Sequence, residues 1–226
     1  MNLKKSFSQK FFKPMVSALV VFSFISGLAC RQSSARVNGN TVAIGGEQQN
    51  VAVVELPIVK QVIDAAIDQV NYTKSYDPAY VRIPYPNGDV PMETGVCSDV
   101  VVRAFRKVGI DLQKEVHLDM AKNFSTYPNK WGLRRPDTNI DHRRVPNLMT
   151  YLKRKGKAVA MTTNPQDYKP GDIVAWDLGG GITHIGLVTN LRGEAGRFKI
   201  VHNIGWGTKV EDRLFEWKII GHYRYF

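Results

Sequence analysis

One thiol in this chain stands where chemistry could use it. Cys97 lies in Gly95-Val96-Cys97-Ser98-Asp99, directly before the helical run Val100-Val101-Val102-Arg103-Ala104-Phe105. At a helix N-terminus, unpaired backbone N–H groups and the helix dipole favour a thiolate, which is how a nucleophilic cysteine is built. The other reading of a lone cysteine is a small buried hydrophobe. A thiol nucleophile needs a base, normally an imidazole, and a group that orients the base. His184 lies in Gly181-Ile182-Thr183-His184-Ile185-Gly186-Leu187-Val188, at the start of an apolar strand behind a turn of three glycines. His202 follows in Ile200-Val201-His202-Asn203. Two adjacent antiparallel strands would bring either His202 or Asn203 to the far ring nitrogen of His184 and fix its tautomer. The backbone N–H groups of Cys97 and Ser98, at the helix start, are the candidate oxyanion donors.

These residues need elements to hold them. From Pro57, the apolar residues Val59, Val62, Ile63, Ala66, Ile67 and Val70 recur at helical spacing. A Tyr/Pro/Gly/Asn-rich stretch from Asn71 to Thr94 reads as a loop. The Cys97 helix should end near Gly109, and further helices are expected over Asp111–Phe124 and Val145–Lys155, the latter with Pro146 in its first turn and Gly156 past its end. After Gly171 the pattern shortens. Asp172–Trp176, His184–Thr189, Lys199–Val201 and Ile219–Tyr225 read as strands. Helices followed by antiparallel strands predict an α+β fold.

The first thirty residues read as an export address. Lys4, Lys5, Lys10 and Lys13 precede an uncharged apolar stretch from Met15 to Ala29, which is short of the roughly twenty residues a bilayer span needs. Residues 1–29 are expected to be a signal peptide, and the stretch resembles a bacterial lipoprotein signal in which Cys30 would be lipidated. Residues 30–55, rich in Ser, Gly, Asn and Gln, read as a tether, and 56–226 as one domain. The chain carries a formal net charge of +11, of which about +7 remains without the four leader lysines. A basic balance favours anionic partners. An export signal makes anionic envelope polymers and membrane lipid better candidates than nucleic acid. The expected location is the periplasm or cell surface, membrane-anchored through the N-terminal lipid.

Taken in order, the cysteine opening a helix, Pro170-Gly171-Asp172-Ile173-Val174, His184-Ile185-Gly186-Leu187-Val188 and Val201-His202 resemble the NlpC-type cell-wall cysteine peptidases of the papain-like clan. The resemblance runs from about Tyr85 to the C-terminus. It implies Cys97 as nucleophile, His184 as base and His202 as the orienting third residue, and it sets Tyr85 roughly where those peptidases carry a tyrosine near the oxyanion. One position departs: Val96 stands where that family has Asp. A closer resemblance is to the domain of unknown function 1287 family, carried by Tyr85-Pro86-Asn87-Gly88-Asp89, Gly95-Val96-Cys97-Ser98-Asp99, Asp137-Thr138-Asn139-Ile140-Asp141-His142-Arg143-Arg144-Val145 and Pro170-Gly171-Asp172. Together these imply a papain-like α+β fold, with helices packed on a C-terminal antiparallel sheet. They also imply a cysteine amidase or endopeptidase acting on peptidoglycan peptides; the protein is expected to be a monomer.

Two other functions fit the same residues: a lipid- or acyl-group-processing thiol enzyme, and a non-catalytic envelope-binding module. In the segment from Asp137 to Arg144, Arg143 or Arg144 could grip a substrate carboxylate through a two-pronged pair. Asp141 and His142 share that segment, and Asp99, Trp176 and Trp206 are further candidate substrate contacts. The opposing reading makes the segment a self-satisfied cap on the next helix. His117 is expected at the surface and His222 in packing. No two histidines show metal-ligand spacing, so neither a metal nor a cofactor is expected.

Overall fold

The structure is a computed structural model and describes residues 56–226. The expectations for the leader, for Cys30 and for the tether lie outside these residues. Pro57 opens α1 (Pro57–Asp68), which buries Val59, Val62, Ile63 and Ala66 along one face. A two-residue parallel pairing of β1 (Ser75–Tyr76) with β2 (Thr94–Gly95) closes the stretch expected to be all loop. Then comes α2 (Cys97–Arg106), buried from Cys97 through Phe105. The remaining helices are α3 (Leu112–Asn123), N-capped by Asp111, and α4 (Val145–Arg154). α2 stops three residues short of Gly109, which turns with φ +83°.

The C-terminal half is one antiparallel sheet in the order β6-β5-β4-β3-β7. Its strands are β3 (Ile173–Asp177), β4 (Thr183–Arg192), β5 (Phe198–Asn203), β6 (Thr208–Glu211) and β7 (Lys218–Tyr223). Side chains alternate across it as the pleat requires. Ile173, Ala175, Ile185, Leu187 and Val201 pack with the buried residues of the helices, α2 among them. Val174, Trp176, Val188 and Ile200 pack on Tyr168 and Leu214 in a second, smaller core. This is the α+β arrangement expected. β6 is the strand the sequence reading lacked.

Two buried carboxylates fasten these layers. Asp172 accepts from His222 Nε2 at 2.7 Å and from both Nε and Nη2 of Arg224 at 2.7 Å, which ties the head of β3 to β7. The Pro170-Gly171-Asp172 motif is therefore a structural lock, and Gly171 adopts φ +86° against Val59. Asp99 accepts from the backbone N–H of Val96 at 2.7 Å and from Arg143 Nε and Nη2, each at 3.0 Å to the nearer oxygen. Arg143 also donates to the carbonyls of Ala79 (3.0 Å) and Asp77 (3.1 Å), and Ser98 Oγ donates to Arg143 O at 2.6 Å. The start of α2, the segment before it and the Asp137–Arg144 segment are thus joined at one buried ion pair.

Removing one partner leaves the other as an uncompensated buried charge. Asp99→Ala should therefore lose roughly 3–5 kcal/mol of unfolding free energy, measured by urea titration. A loss below about 1 kcal/mol would show that the pair does not hold the helix start.

Candidate active site

The site is assembled where β4 and β5 separate. The pairing of these strands runs through Leu187–Val201, and His184 and Ile185 lie beyond it. The freed N–H of Ile185 hydrogen-bonds to the sulfur of Cys97, as does the N–H of Ser98. The Tyr76 hydroxyl completes the set by donating to the same sulfur. The thiol of α2 is therefore anchored to the residue next to His184.

His184 is buried, among Trp176, Trp217 and His202, with ring centroids 5.7, 5.8 and 5.0 Å away. Its Nε2 lies 2.7 Å from His202 Nδ1, and His202 Nε2 lies 3.0 Å from a carboxylate oxygen of Glu211. The direction of this relay follows from what each group can do. A carboxylate only accepts, so His202 carries its proton on Nε2. Its Nδ1 must then accept, which puts the His184 proton on Nε2 and leaves Nδ1 of His184 as the basic lone pair. Gly186 makes the arrangement possible: a Cβ there would lie 2.8 Å from Val201 O and 3.1 Å from His202 Cβ. Glu211 reaches His202 diagonally across β5–β6, whose register sets His202 opposite Lys209. Arg213 holds the other carboxylate oxygen at 3.3 Å.

Burial decides the charge state. It pushes the Cys97 thiol up to about 11, against the lowering effect of the three hydrogen bonds. It also drives His184 down to about 3, with His202 adding to the effect. His202 is lowered by burial too, against the pull of Glu211. The resting pair is a neutral thiol and a neutral imidazole, not the thiolate–imidazolium pair that a helix N-terminus alone suggests.

Cys97 opens into a cleft of about 400 Å³, walled by Tyr76, Tyr80, Trp131, Arg144 and Thr183. Of the residues singled out from the sequence, the structure joins His184 to His202, sets the Cys97 sulfur against the backbone N–H groups of Ser98 and Ile185, the residue after His184, and places Arg143 and Arg144 on the cleft wall, the Arg144 guanidinium 4.1 Å above the Trp131 ring. The others go elsewhere. Tyr85 packs edge-on to His117 at 5.0 Å, and Tyr76 is the tyrosine on the sulfur. Asn203 donates to the carbonyls of Ser75 (3.2 Å) and Gly95 (3.0 Å), so it braces β1 and β2 and leaves the far ring nitrogen to His202.

Asp99 and Arg143 pair in the interior, and Arg143, although it lines the cleft beside Cys97, spends its Nε, Nη1 and Nη2 on Asp99 and the carbonyls of Ala79 and Asp77. Asp141 is buried under Arg144 and the N–H of Asp137, and His142 is buried outside the cleft. Trp176 is fully buried, with its indole N–H on Leu214 O, while Trp206 is 82% exposed and outside the cleft wall. His117 is half-buried, and His222 packs against Tyr168 while binding Asp172. Glu211 and Tyr76 escaped the sequence reading. For Glu211 a signal existed: Thr208-Lys209-Val210-Glu211 alternates behind a Gly205-Trp206-Gly207 turn, as an edge strand does. For Tyr76 there was none, because a two-residue pairing has no periodicity.

Iodoacetamide alkylation of Cys97 should rise through pH 9–10 with no plateau below pH 8, and Tyr76→Phe should push the profile further alkaline. A plateau reached at pH 5–7 would contradict the neutral resting pair. The depressed imidazoles also carry a stability signature. His184 and His142, the latter lowered to about 4 chiefly by burial, bind protons more readily in the unfolded chain. Their contribution is complete above about pH 6.5 and is lost as pH falls toward 4 and then 3. The melting temperature should therefore drop between pH 6.5 and 4, before Asp172, whose carboxyl is held below its ordinary range by His222 and Arg224, begins to protonate. A flat profile across that interval would refute buried neutral histidines.

Comparison with known proteins agrees with the motifs. Residues 63–225 match the model of the family described as Domain of unknown function (DUF1287). The chain is 56% identical over 165 residues to the Escherichia coli (strain K12) protein described as "Uncharacterized protein YijF", covering 73% of this chain and 80% of that one. Among solved structures, NlpC1 and NlpC2 from Trichomonas vaginalis are similar at 13% and 12% identity, with TM-scores of 0.40 and 0.38 over 77% and 76% of this chain. The chain spans 46% and 49% of those two chains, about half their length. With a family model spanning most of its length and a relative identical at more than half the aligned positions, the chain belongs to the DUF1287 family.

Proposed function

We propose that this protein is a cysteine hydrolase of amide bonds, acting on peptides of the cell envelope. The observation that carries the reading is the relay Glu211–His202–His184, which ends one residue from the N–H that holds the Cys97 sulfur. A merely structural cysteine needs no oriented base beside it.

The chemistry follows from the neutral resting pair. As Cys97 Sγ attacks the carbonyl carbon of a bound amide, its proton passes to His184 Nδ1. His202 and Glu211 stabilise the imidazolium so formed. The oxyanion that develops faces the N-terminus of α2 and the Tyr76 hydroxyl. His184 then returns the proton to the leaving amine, and a thioester remains on Cys97. Water, deprotonated by His184, attacks that thioester, releasing the acid and restoring the thiol. No external oxidant or cofactor enters the cycle.

The substrate class rests on charge and address. Arg82, Arg134 and Arg135 line a broader groove that shares Tyr80 with the cleft, which suits the carboxylates of peptidoglycan stem peptides. The leader-like segment and Cys30 supply the case for export and for membrane attachment through a lipid.

Cys97→Ala should abolish release of new amines and carboxylates from muropeptides while leaving the fold intact. Glu211→Gln, which can supply a donor where the carboxylate only accepts, should let His184 take the wrong tautomer and lower kcat by orders of magnitude, toward the ~10⁴-fold seen when a triad carboxylate is amidated. Because the base stays unprotonated to about pH 3 and the thiol stays protonated to about 11, kcat/KM should be flat from pH 5 to 9. An acid limb near 6.5, or full activity in Cys97→Ala, would defeat this mechanism.

A further inference from the structure

A second cavity, of about 290 Å³, adjoins the cleft and plays no part in the chemistry above. Its walls are apolar, built from Met120, Phe124, Tyr127, Leu133 and Trp131. Trp131 and Arg144 line both spaces, so the stacked pair at 4.1 Å is the partition between them.

The polar end of this cavity is incompletely satisfied. Asn147 is 1% exposed and lines the cavity. Its Nδ2 donates to Asp141 O at 3.1 Å, but its Oδ1 has no partner. A buried carbonyl oxygen left without a donor costs free energy, and its presence calls for an explanation. Beside it, Arg144 spends one Nη1 hydrogen on Asp141 at 3.2 Å, leaving further N–H groups for an acceptor. The end wall therefore offers one acceptor, Asn147 Oδ1, and one donor, Arg144.

The charges select among ligands. An ammonium would satisfy Asn147 but meet the Arg144 guanidinium. A carboxylate would satisfy Arg144 but meet Asn147 Oδ1 and the Asp141 carboxylate. A neutral carboxamide satisfies both, its N–H donating to Asn147 Oδ1 and its C=O accepting from Arg144.

We propose that this cavity is a binding site for an apolar chain of a few carbons ending in a carboxamide, placed to receive part of the molecule whose scissile bond lies at Cys97. The link to the scissile bond rests on the hydrolase reading; occupancy of the cavity does not.

The test uses full-length Cys97→Ala in detergent, so that the thiol of the cleft takes no part. Hexanamide, hexanoate and hexylamine are titrated separately by isothermal calorimetry. Hexanamide should bind at least tenfold more tightly than either charged analogue. Ser125 is exposed and lies on the cavity wall, so Ser125→Trp fills the space without touching the buried network. It should weaken hexanamide at least tenfold while the far-ultraviolet circular dichroism stays unchanged. Equal affinity for the three probes, or hexanamide binding that survives Ser125→Trp, would overturn the site. If hexanamide binds as stated but wild type hydrolyses no amide, the site stands and the hydrolase reading falls. If amides are hydrolysed but hexanamide does not bind, the site falls alone.

Discussion

The ion pair between Asp99 and Arg143 is the constraint on which the rest of the molecule hangs. A carboxylate and a guanidinium this deep in the interior are held in place by direction as much as by attraction. Asp99 points back to the Val96 N–H and so fixes where α2 begins; Arg143 points outward to the carbonyls of Asp77 and Ala79 and so fixes the strand that carries Tyr76. An apolar pair of equal volume could fill the same space with comparable stability. It could not specify which backbone groups meet there. The result is that Tyr76, the first turn of α2 and Arg144 arrive around one sulfur, although they come from three separate stretches of chain.

A second design runs through the sheet. The thiol is kept protonated and the imidazole unprotonated by the same cause, burial, so neither group carries charge while the site waits. In the proposed reaction, charge would develop only as the sulfur attacks a carbonyl, and Glu211 and His202 would already be oriented to receive it, with little reorganisation left to be done. Gly186 matters for the same reason: it is the missing side chain that lets the two imidazoles approach across neighbouring strands.

Much of this was legible beforehand, for physical reasons that differ by element. The four long helices announced themselves through apolar spacing and their Pro and Gly boundaries, and Cys97, His184 and His202 through their positions at element ends. What escaped the reading were features with no local signature. Arg143 and Asp99 looked like ligand-binding charges because a sequence shows charge but not depth. Trp176 looked like a cleft aromatic because β3 is covered on both faces, a fact that emerges only when Leu214 and Tyr168 pack across it. Tyr85 was closer in motif, yet Tyr76 is closer in space, since the parallel pairing of Ser75–Tyr76 with Thr94–Gly95 folds it back onto the helix start. Glu211 sits on a four-residue strand whose alternation was present but short.

That short strand has a consequence of its own. β6 is an outer strand, paired with β5 and tied to the chain before α2 by the Thr208 N–H on Thr73 O, and elements with few partners open locally before the core does. The proton on a deeply buried ring is therefore governed from the rim. When β6 lifts, His202 loses the acceptor that sets its tautomer, and the orientation reaching Cys97 is erased while the core stays folded. A local opening of β6 would thus scramble the hydrogen-bond sense of the relay without dissolving the fold.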